Sequence, residues 1–402
     1  MPTIARPLAV GIALASSLVC PGAETNYFFA RGSADQVLRS IGVNTNGPTK
    51  EIWYAGEQDG QAALFRLVGT NFSTTNLAEL VPGETYALSI SRDARYAVGE
   101  SGNQATLWNV STPGTVTGLG YLPGPVFSSS SGASSQVAPT VVGYAGGGSF
   151  VWSQSSGMQD FLVPGYGSPR LTAISSDGLT FAGAANSGTS RDPFIYRGGS
   201  FTFLDEGGGN NGLLLCLSPN GDVAGGAIDG QGAIWNNGNL LRLTIDGNAV
   251  TSVLGVTDNG FAVGSTAAGG YIYDPRTGLT SLFDSWWELQ TGNAPPVHVT
   301  SVNDVYWDGE VLYFALSGSS AGAAAGLAMF PLPNLTLALL PSGQIELRWA
   351  TNASCTVETT LALTAPPDWT PLTNAVPLLT NSQFVLTLPV TNTASFFRLR
   401  CP

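Results

Sequence analysis

From Leu171 to Leu204 the chain reads as short apolar runs cut by turns: LTAIS, the turn Ser176-Asp177-Gly178, TFAGAA, a Gly/Ser/Asn-rich loop, PFIY, then Gly198-Gly199 and SFTFL. Short runs of this kind, bounded by Gly, Asp and Ser, predict β-strands joined by tight turns. The stretch therefore predicts a four-stranded antiparallel meander.

The pattern recurs along the chain. A small-residue/Gly step inside the second strand falls at Gly56, Gly99, Gly143, Gly183, Gly225 and Gly264, at intervals of 43, 44, 40, 42 and 39 residues. The third strands AALFRL, ATLWNV, SFVWSQ, PFIYRG, GAIWNN and GYIYDP each carry an aromatic, at Phe65, Trp108, Trp152, Tyr196, Trp235 and Tyr273. One ring per unit at matching depth reads as core packed between neighbouring units. A four-stranded repeat of about 40 to 45 residues predicts propeller blades. A seventh unit, VTSVNDVYWDG, EVLYFALSG and AAAGLAMF, lacks a fourth strand, while NYFFARG from Asn26 has no blade of its own. A strand donated from the N-terminus to the last blade would remove both open edges. The expectation is all-β: a seven-bladed β-propeller over residues 24–332, with the N-terminal strand closing the last blade.

Three places depart from the repeat. SSSSGASSQVAP replaces an apolar first strand in the third unit and predicts an irregular inner strand or a local bulge there. Between the sixth and seventh units FDSWWELQTGNAPPVHV is inserted, and DSWWELQ predicts a short helix capped by Asp284 or Ser285. After Pro331-Leu332-Pro333 the runs LTLALL, QIELRWA, CTVETT, WTPLTNA, QFVLTLPV and SFFRLR predict a separate small β-sandwich over residues 333–402.

Composition narrows the setting. Apolar residues make up 43% of the 402, enough to fill cores, whereas only 10% are charged and 51 are glycine. The surface is therefore built mainly of neutral polar groups, which suits a secreted β protein. A net charge of −12 and a single lysine, Lys50, leave no basic patch for a phosphate backbone, so no nucleic-acid partner is expected. Arg6, the apolar segment Leu8 to Val19 and Cys20-Pro21-Gly22-Ala23 predict a signal peptide over residues 1–23, too short to span a membrane as a helix. The run Ala321 to Leu340 contains Pro331, Pro333 and Asn334, so no membrane span is expected there. Cys216, in LLLCLS, reads as a buried small hydrophobe. Cys355 and Cys401 both fall in the C-terminal module and are candidates for a disulfide in an oxidising compartment. A monomer, extracellular or at the cell surface, is expected.

The strings AISSDGLTFAG and FVWSQSSGMQDFL, the latter from Phe150 to Leu162, resemble the HAF-type repeats of secreted bacterial β-propellers. The resemblance covers most of residues 35–330, although the histidine that names that repeat is absent from every copy. WTPL near Trp369 and the closing FFRLR are similar to the fibronectin type III-like modules that end many secreted bacterial proteins. These resemblances imply a secreted bacterial propeller and supply no catalytic positions.

Candidate chemistry is sparse. His298 is the sole histidine, so any Ser/His/Asp mechanism would pass through it. Gly318-Ser319-Ser320-Ala321-Gly322 matches G-x-S-x-G, but a strand pair surrounds Ser320 where a hydrolase needs a strand, a turn and a helix. Gly207 to Gly212 fits G-x-G-x-x-G yet opens into a strand, so no helix N-terminus would hold a pyrophosphate. No metal-ligand spacing occurs and no cofactor is expected; calcium in an Asp/Asn-rich loop is the alternative. Asp192, Asp205, Glu206, Asp229, Asp284 and Glu288 are the carboxylates from which a glycosidase or lyase pair would be drawn. Trp286 and Trp287, beside a Gly/Asn loop, are candidates for stacking on a sugar or peptide, with a docked, lid-like helix as the competing reading. Tyr166 and Arg170, in PGYGSPR, are candidates to share that face. The favoured function is a secreted non-catalytic propeller binding an extracellular glycan or a cell-surface protein. The alternatives are a carbohydrate-active enzyme and a structural envelope protein.

Overall fold

The computed structural model describes residues 29–31, 36–69, 71–124, 127–320 and 323–331, and in the C-terminal segment 336–340, 342, 344–350, 356–360, 370–372, 376–380, 383–389 and 396–400. The signal-peptide segment, Cys355 and Cys401 lie outside the described residues.

Residues 29–331 form seven four-stranded antiparallel sheets, six of them simple meanders. Their innermost strands are Gln36–Asn44, Thr85–Ile90, Ser128–Ala133, Gly167–Ile174, Gly212–Leu217, Ser252–Val256 and His298–Trp307. The seventh sheet takes its outer strand from the N-terminal side: Phe29–Arg31 pairs antiparallel with Ala323–Pro331, Phe29 opposite Ala328. Repeated four-stranded meanders are the blade unit of β-propellers, so the chain is all-β with propeller-type repeat character.

Local chemistry explains why each unit forms. In four of the seven sheets the residue closing the inner strand is a buried Ser or Thr whose hydroxyl donates to the Asp or Asn two positions on: Ser91 to Asp93 at 2.7 Å, Ser175 to Asp177 at 2.5 Å, Ser218 to Asn220 at 2.8 Å and Thr257 to Asn259 at 2.5 Å. The same oxygen accepts the backbone N–H that opens the second strand, as Thr180 does on Ser175 at 3.0 Å. A buried hydroxyl with both roles filled makes the turn self-sufficient. The aspartates of these turns thus act as structure.

Every inner strand carries a bulge, with the extra residue at Arg39, Leu88, Ser131, Thr172, Leu215, Leu254 and Asn303. The repeated glycine sits against it. A Cβ at Gly56, Gly99 or Gly183 would stand 1.8, 1.8 or 2.2 Å from a carbonyl oxygen of the inner strand. In the fifth sheet that place belongs to Gly226, whose Cβ would meet the Leu213 oxygen at 1.9 Å. The expected Gly225 is displaced by one residue and packs instead toward Val253 of the next sheet. The third sheet's serine-rich inner strand is a strand with the same bulge as the others, because Ser130 and Ser131 donate to backbone carbonyls that an apolar side chain would leave to water.

The aromatic positions are core as expected for Phe65, Trp108, Trp152 and Trp235, all buried, while Tyr196 and Tyr273 are half-buried. Trp108 and Trp235 each donate their indole N–H to a carbonyl of an inter-sheet connection, Ala78 and Asp205, at 2.7 Å.

Neighbouring sheets are joined through their turns. Val43 N–H bonds Arg92 O, Ser135 N–H bonds Ser176 O, and Ser176 N–H bonds Pro219 O. The seventh sheet bonds the first and the second: Asp304 accepts from Ile41 N–H of the first at 2.9 Å and from the two terminal guanidinium nitrogens of Arg92, in the second sheet's turn, at 2.7 and 3.1 Å. Lys50, the only lysine, pairs with Asp308 at 2.5 Å. Burial pushes the Asp308 carboxyl up, but Lys50, the Val311 N–H and the Tyr313 hydroxyl together hold it below its ordinary value.

The insertion forms the helix Phe283–Thr291. Its N-cap is Leu282, with no side-chain cap bond, so neither Asp284 nor Ser285 caps it. Asp284 instead sits in the first turn, where negative charge is favourable, and accepts Val299 N–H at 3.1 Å and the His298 Nδ1 contact at 2.7 Å. In the C-terminal segment, one sheet of four strands and one of three share a core of Leu347, Trp349, Val357 and Leu386.

Candidate functional site

The bulges set up a channel. An extra residue kinks a strand and re-aims its side chain, and all seven bulge residues line a single cavity of about 130 Å³. Three of the polar ones are already engaged: Ser131 donates to Leu171 O at 2.9 Å, Thr172 to Leu214 O at 2.8 Å and Asn303 to Leu38 O at 2.7 Å. Each bond runs from one inner strand to the next, so these side chains hold the channel wall. Cys216 also faces the cavity; burial pushes its thiol far above the usual range, which makes it inert.

Where the inner strands of the third and fourth sheets begin, the channel opens into a cleft of about 630 Å³. The Ser/Asp turns lie at the other end of those strands, so the cleft is on the face opposite the turns. Its wall on one side is Ser129, Ser130 and the hairpin bearing Tyr144 and Gly147. On the other side are Ser168, Arg170 and the hairpin bearing Asn186 and Arg191. Phe127, 36% exposed, meets Tyr144 edge-on with ring centroids 6.2 Å apart. Ser168 holds a left-handed backbone, φ 43°, at the sharp bend that delivers Arg170 to the rim.

Electrostatics single this cleft out. No carboxylate lines it among the described residues. Eight Arg and Lys side chains of the described residues are paired with a carboxylate. Arg170 and Arg191 form no ion pair among the described residues; Arg191 has only a 3.5 Å contact to Asn186 Oδ1. Glu100 touches the wall from behind through the Ser129 hydroxyl; burial raises its carboxyl above the ordinary value against that hydrogen bond, and Glu84 adds to the rise.

Of the four residues expected to bind ligand, Arg170 lines the cleft. Tyr166 stacks on Phe203 with centroids 4.3 Å apart, fixing the connection that carries Arg170. Trp286 and Trp287 are not open for stacking: both are 4% exposed. They pack with Phe283, Phe314 and Phe330, and the Trp286 indole donates to Asp274 at 3.3 Å. An amphipathic helix buries its widest apolar rings when a sheet edge offers a core to fill. Arg191, Phe127 and Tyr144 were missed, although a lone cation in a Gly/Ser hairpin of so cation-poor a chain was a usable signal.

Three of the six carboxylates considered for catalysis hold local backbone or turns, and Glu288 is exposed on the inserted helix. Asp192 accepts from Ser187 and Ser190, Asp205 from the Gly207 N–H, and Asp284 from Val299. Glu206 lies near Asp192 and Asp229; burial first, and those two charges next, hold its carboxyl above the ordinary value. No group of three or more His, Cys, Asp or Glu converges to hold a metal ion among the described residues. No described helix is long and apolar enough to cross a membrane.

No family model matches the chain, and no curated protein matches it. Solved structures similar to it include the WD40 β-propeller domain of Doa1, at 13% identity and TM-score 0.48, covering 76% of this chain and 95% of that one. The β-propeller domain of Swd1 from Myceliophteria thermophila matches at 12% identity and TM-score 0.48, over 77% and 98%. The extracellular domain of a one-component system from B. thetaiotaomicron matches at 15% identity and TM-score 0.47, over 89% of this chain and 49% of that one. At this level of similarity no ligand, partner or activity transfers to this chain.

Proposed function

We propose that this chain is a secreted, non-catalytic β-propeller of seven blades, closed into a ring, that binds an extracellular or cell-surface partner at one mouth of its channel. The single observation behind this reading is the cleft between the third and fourth sheets, which combines the exposed Phe127 ring and the half-buried Tyr144 ring, hydroxyls and two arginines with no ion pair among the described residues, and has no carboxylate among its described lining residues. Recognition needs a shaped, partly apolar hollow with a few polar groups; acid-base chemistry at a glycosidic bond needs two carboxyl groups facing the ligand. Closure is supported by the bonds of Asp304 and Lys50 between the first and seventh sheets and by the paired N-terminal strand. Residues 333–402 are proposed to be a fibronectin type III-like spacer or attachment module, and the protein to act as a monomer outside a bacterial cell.

The test uses the full chain against glycan arrays and cell-envelope fractions, with a hydrolysis assay on the same polymers. Retention that falls when Phe127→Ala or Tyr144→Ala is introduced supports the reading. Released products, or retention unchanged by both substitutions, would overturn it.

A further inference from the structure

We propose that the cleft takes an acidic oligosaccharide, a uronate-bearing glycan segment, with its carboxylate held by Arg170 and Arg191. This rests on the binding-propeller reading above and assigns its ligand class.

The first argument is charge accounting. In a chain of net charge −12, each free cation is scarce, and eight described Arg and Lys side chains are neutralised by a carboxylate. Two that are not line one cleft, which no carboxylate among the described residues lines. Arg242 also lacks a carboxylate partner but is held by the Glu206 carbonyl at 2.7 Å; the Arg170 and Arg191 guanidinia have neither a carboxylate nor a backbone carbonyl among the described residues, and together at one hollow they make an anion site awaiting its anion.

The second argument concerns charge density. Two arginines cannot offset a closely spaced polyanion, which the acidic protein would also repel at a distance. A ligand with a carboxylate on an otherwise hydroxylated body fits that balance. Bidentate pairing with planar carboxylates is the geometry guanidinium favours.

The third is the rest of the lining. Ser168 and Asn186 offer donors and acceptors to sugar hydroxyls, and the Phe127 and Tyr144 rings offer apolar surface to the C–H face of a pyranose. About 630 Å³ lies within the range of ~300–1,000 Å³ that accommodates a small organic ligand. A peptide would more naturally add to a sheet edge, but the inner-strand edges face a channel of only about 130 Å³.

The experiment is titration calorimetry of the full chain with a neutral oligosaccharide bearing a single uronate residue, with its carboxyl-reduced neutral counterpart and with an acidic peptide. The expected result is binding of the single-uronate oligosaccharide, at least about tenfold weaker for the reduced sugar, and at least about tenfold weaker for Arg170→Gln or Arg191→Gln, the loss expected for a charge-assisted hydrogen-bonded pair. Circular dichroism confirms that both variants fold. Equal binding of acidic and neutral sugars overturns the carboxylate assignment while leaving a glycan-binding propeller. Binding of the acidic peptide alone overturns the glycan assignment. Binding of neither, with envelope fractions also unretained, removes the binding-propeller reading itself.

Discussion

Single hydroxyls decide the turns. Ser175 donates to Asp177 and accepts from Thr180, and it is fully buried. Ser175→Ala leaves the Thr180 N–H without that acceptor in a buried site, and a loss of about 1–3 kcal/mol follows, read as a lower urea midpoint at unchanged slope. Glu206 acts in the opposite direction. Its folded-state carboxyl is raised by burial and by Asp192 and Asp229, so the native state binds a proton more tightly than the unfolded chain does. Its favourable contribution is present below the unfolded value, about 4.3, and is lost as pH rises through the folded value. Glu206→Gln is therefore expected to be more stable than the parent at pH 7, with the advantage vanishing near pH 4, as thermal melts across that range will show. The turn chemistry was legible in SSDG, SPNGD and TDNG because it closes within a few residues. The Glu206 environment was not, since Asp192 and Asp229 come from two different sheets.

At the scale of elements, the inserted helix was legible as a helix, while the sequence left open whether its tryptophans stack on a ligand or dock onto the sheets. DSWWELQ carries a helical pattern, but whether its tryptophans face solvent or core depends on the sheet edge beside it. Phe314 and Phe330 of the seventh sheet supply that core. Trp286→Ala is expected to cost about 3–5 kcal/mol through the cavity it opens, while leaving glycan or envelope retention of the folded fraction unchanged. Denaturation and retention measured on one preparation separate the two effects. Outside the third unit, the bulge on each inner strand was invisible as a bulge, although its consequence, a glycine in the second strand, supplied the period. A carbonyl pushed toward the facing strand leaves no room for a Cβ, so the glycine recurs because the bulge does.

For the whole molecule, the clasp between the first and last sheets carries the most weight. Asp304 serves Ile41, Ser40 and Arg92, side chains and backbone from residues more than 200 positions away. Asp304→Ala leaves the Arg92 guanidinium, 17% exposed, without its partner. Removing one member of a buried pair costs about 3–5 kcal/mol, expected as a marked fall in melting temperature. Replacing the pair together, Arg92→Met with Asp304→Leu, is expected to recover much of it.

The sequence by itself determined the repeat, the strand type, the N-terminal strand that completes the seventh sheet and the buried role of most third-strand aromatics. Those follow from period, turn residues and alternation, which act over a few residues at a time. Only the tertiary structure decided that Trp286 and Trp287 are core, that Gly226 takes the place assigned to Gly225, and that Arg170 meets Arg191, Phe127 and Tyr144 at one cleft. Burial and charge pairing are properties of neighbours, and in a repeat of about forty residues the neighbours that matter come from the next unit.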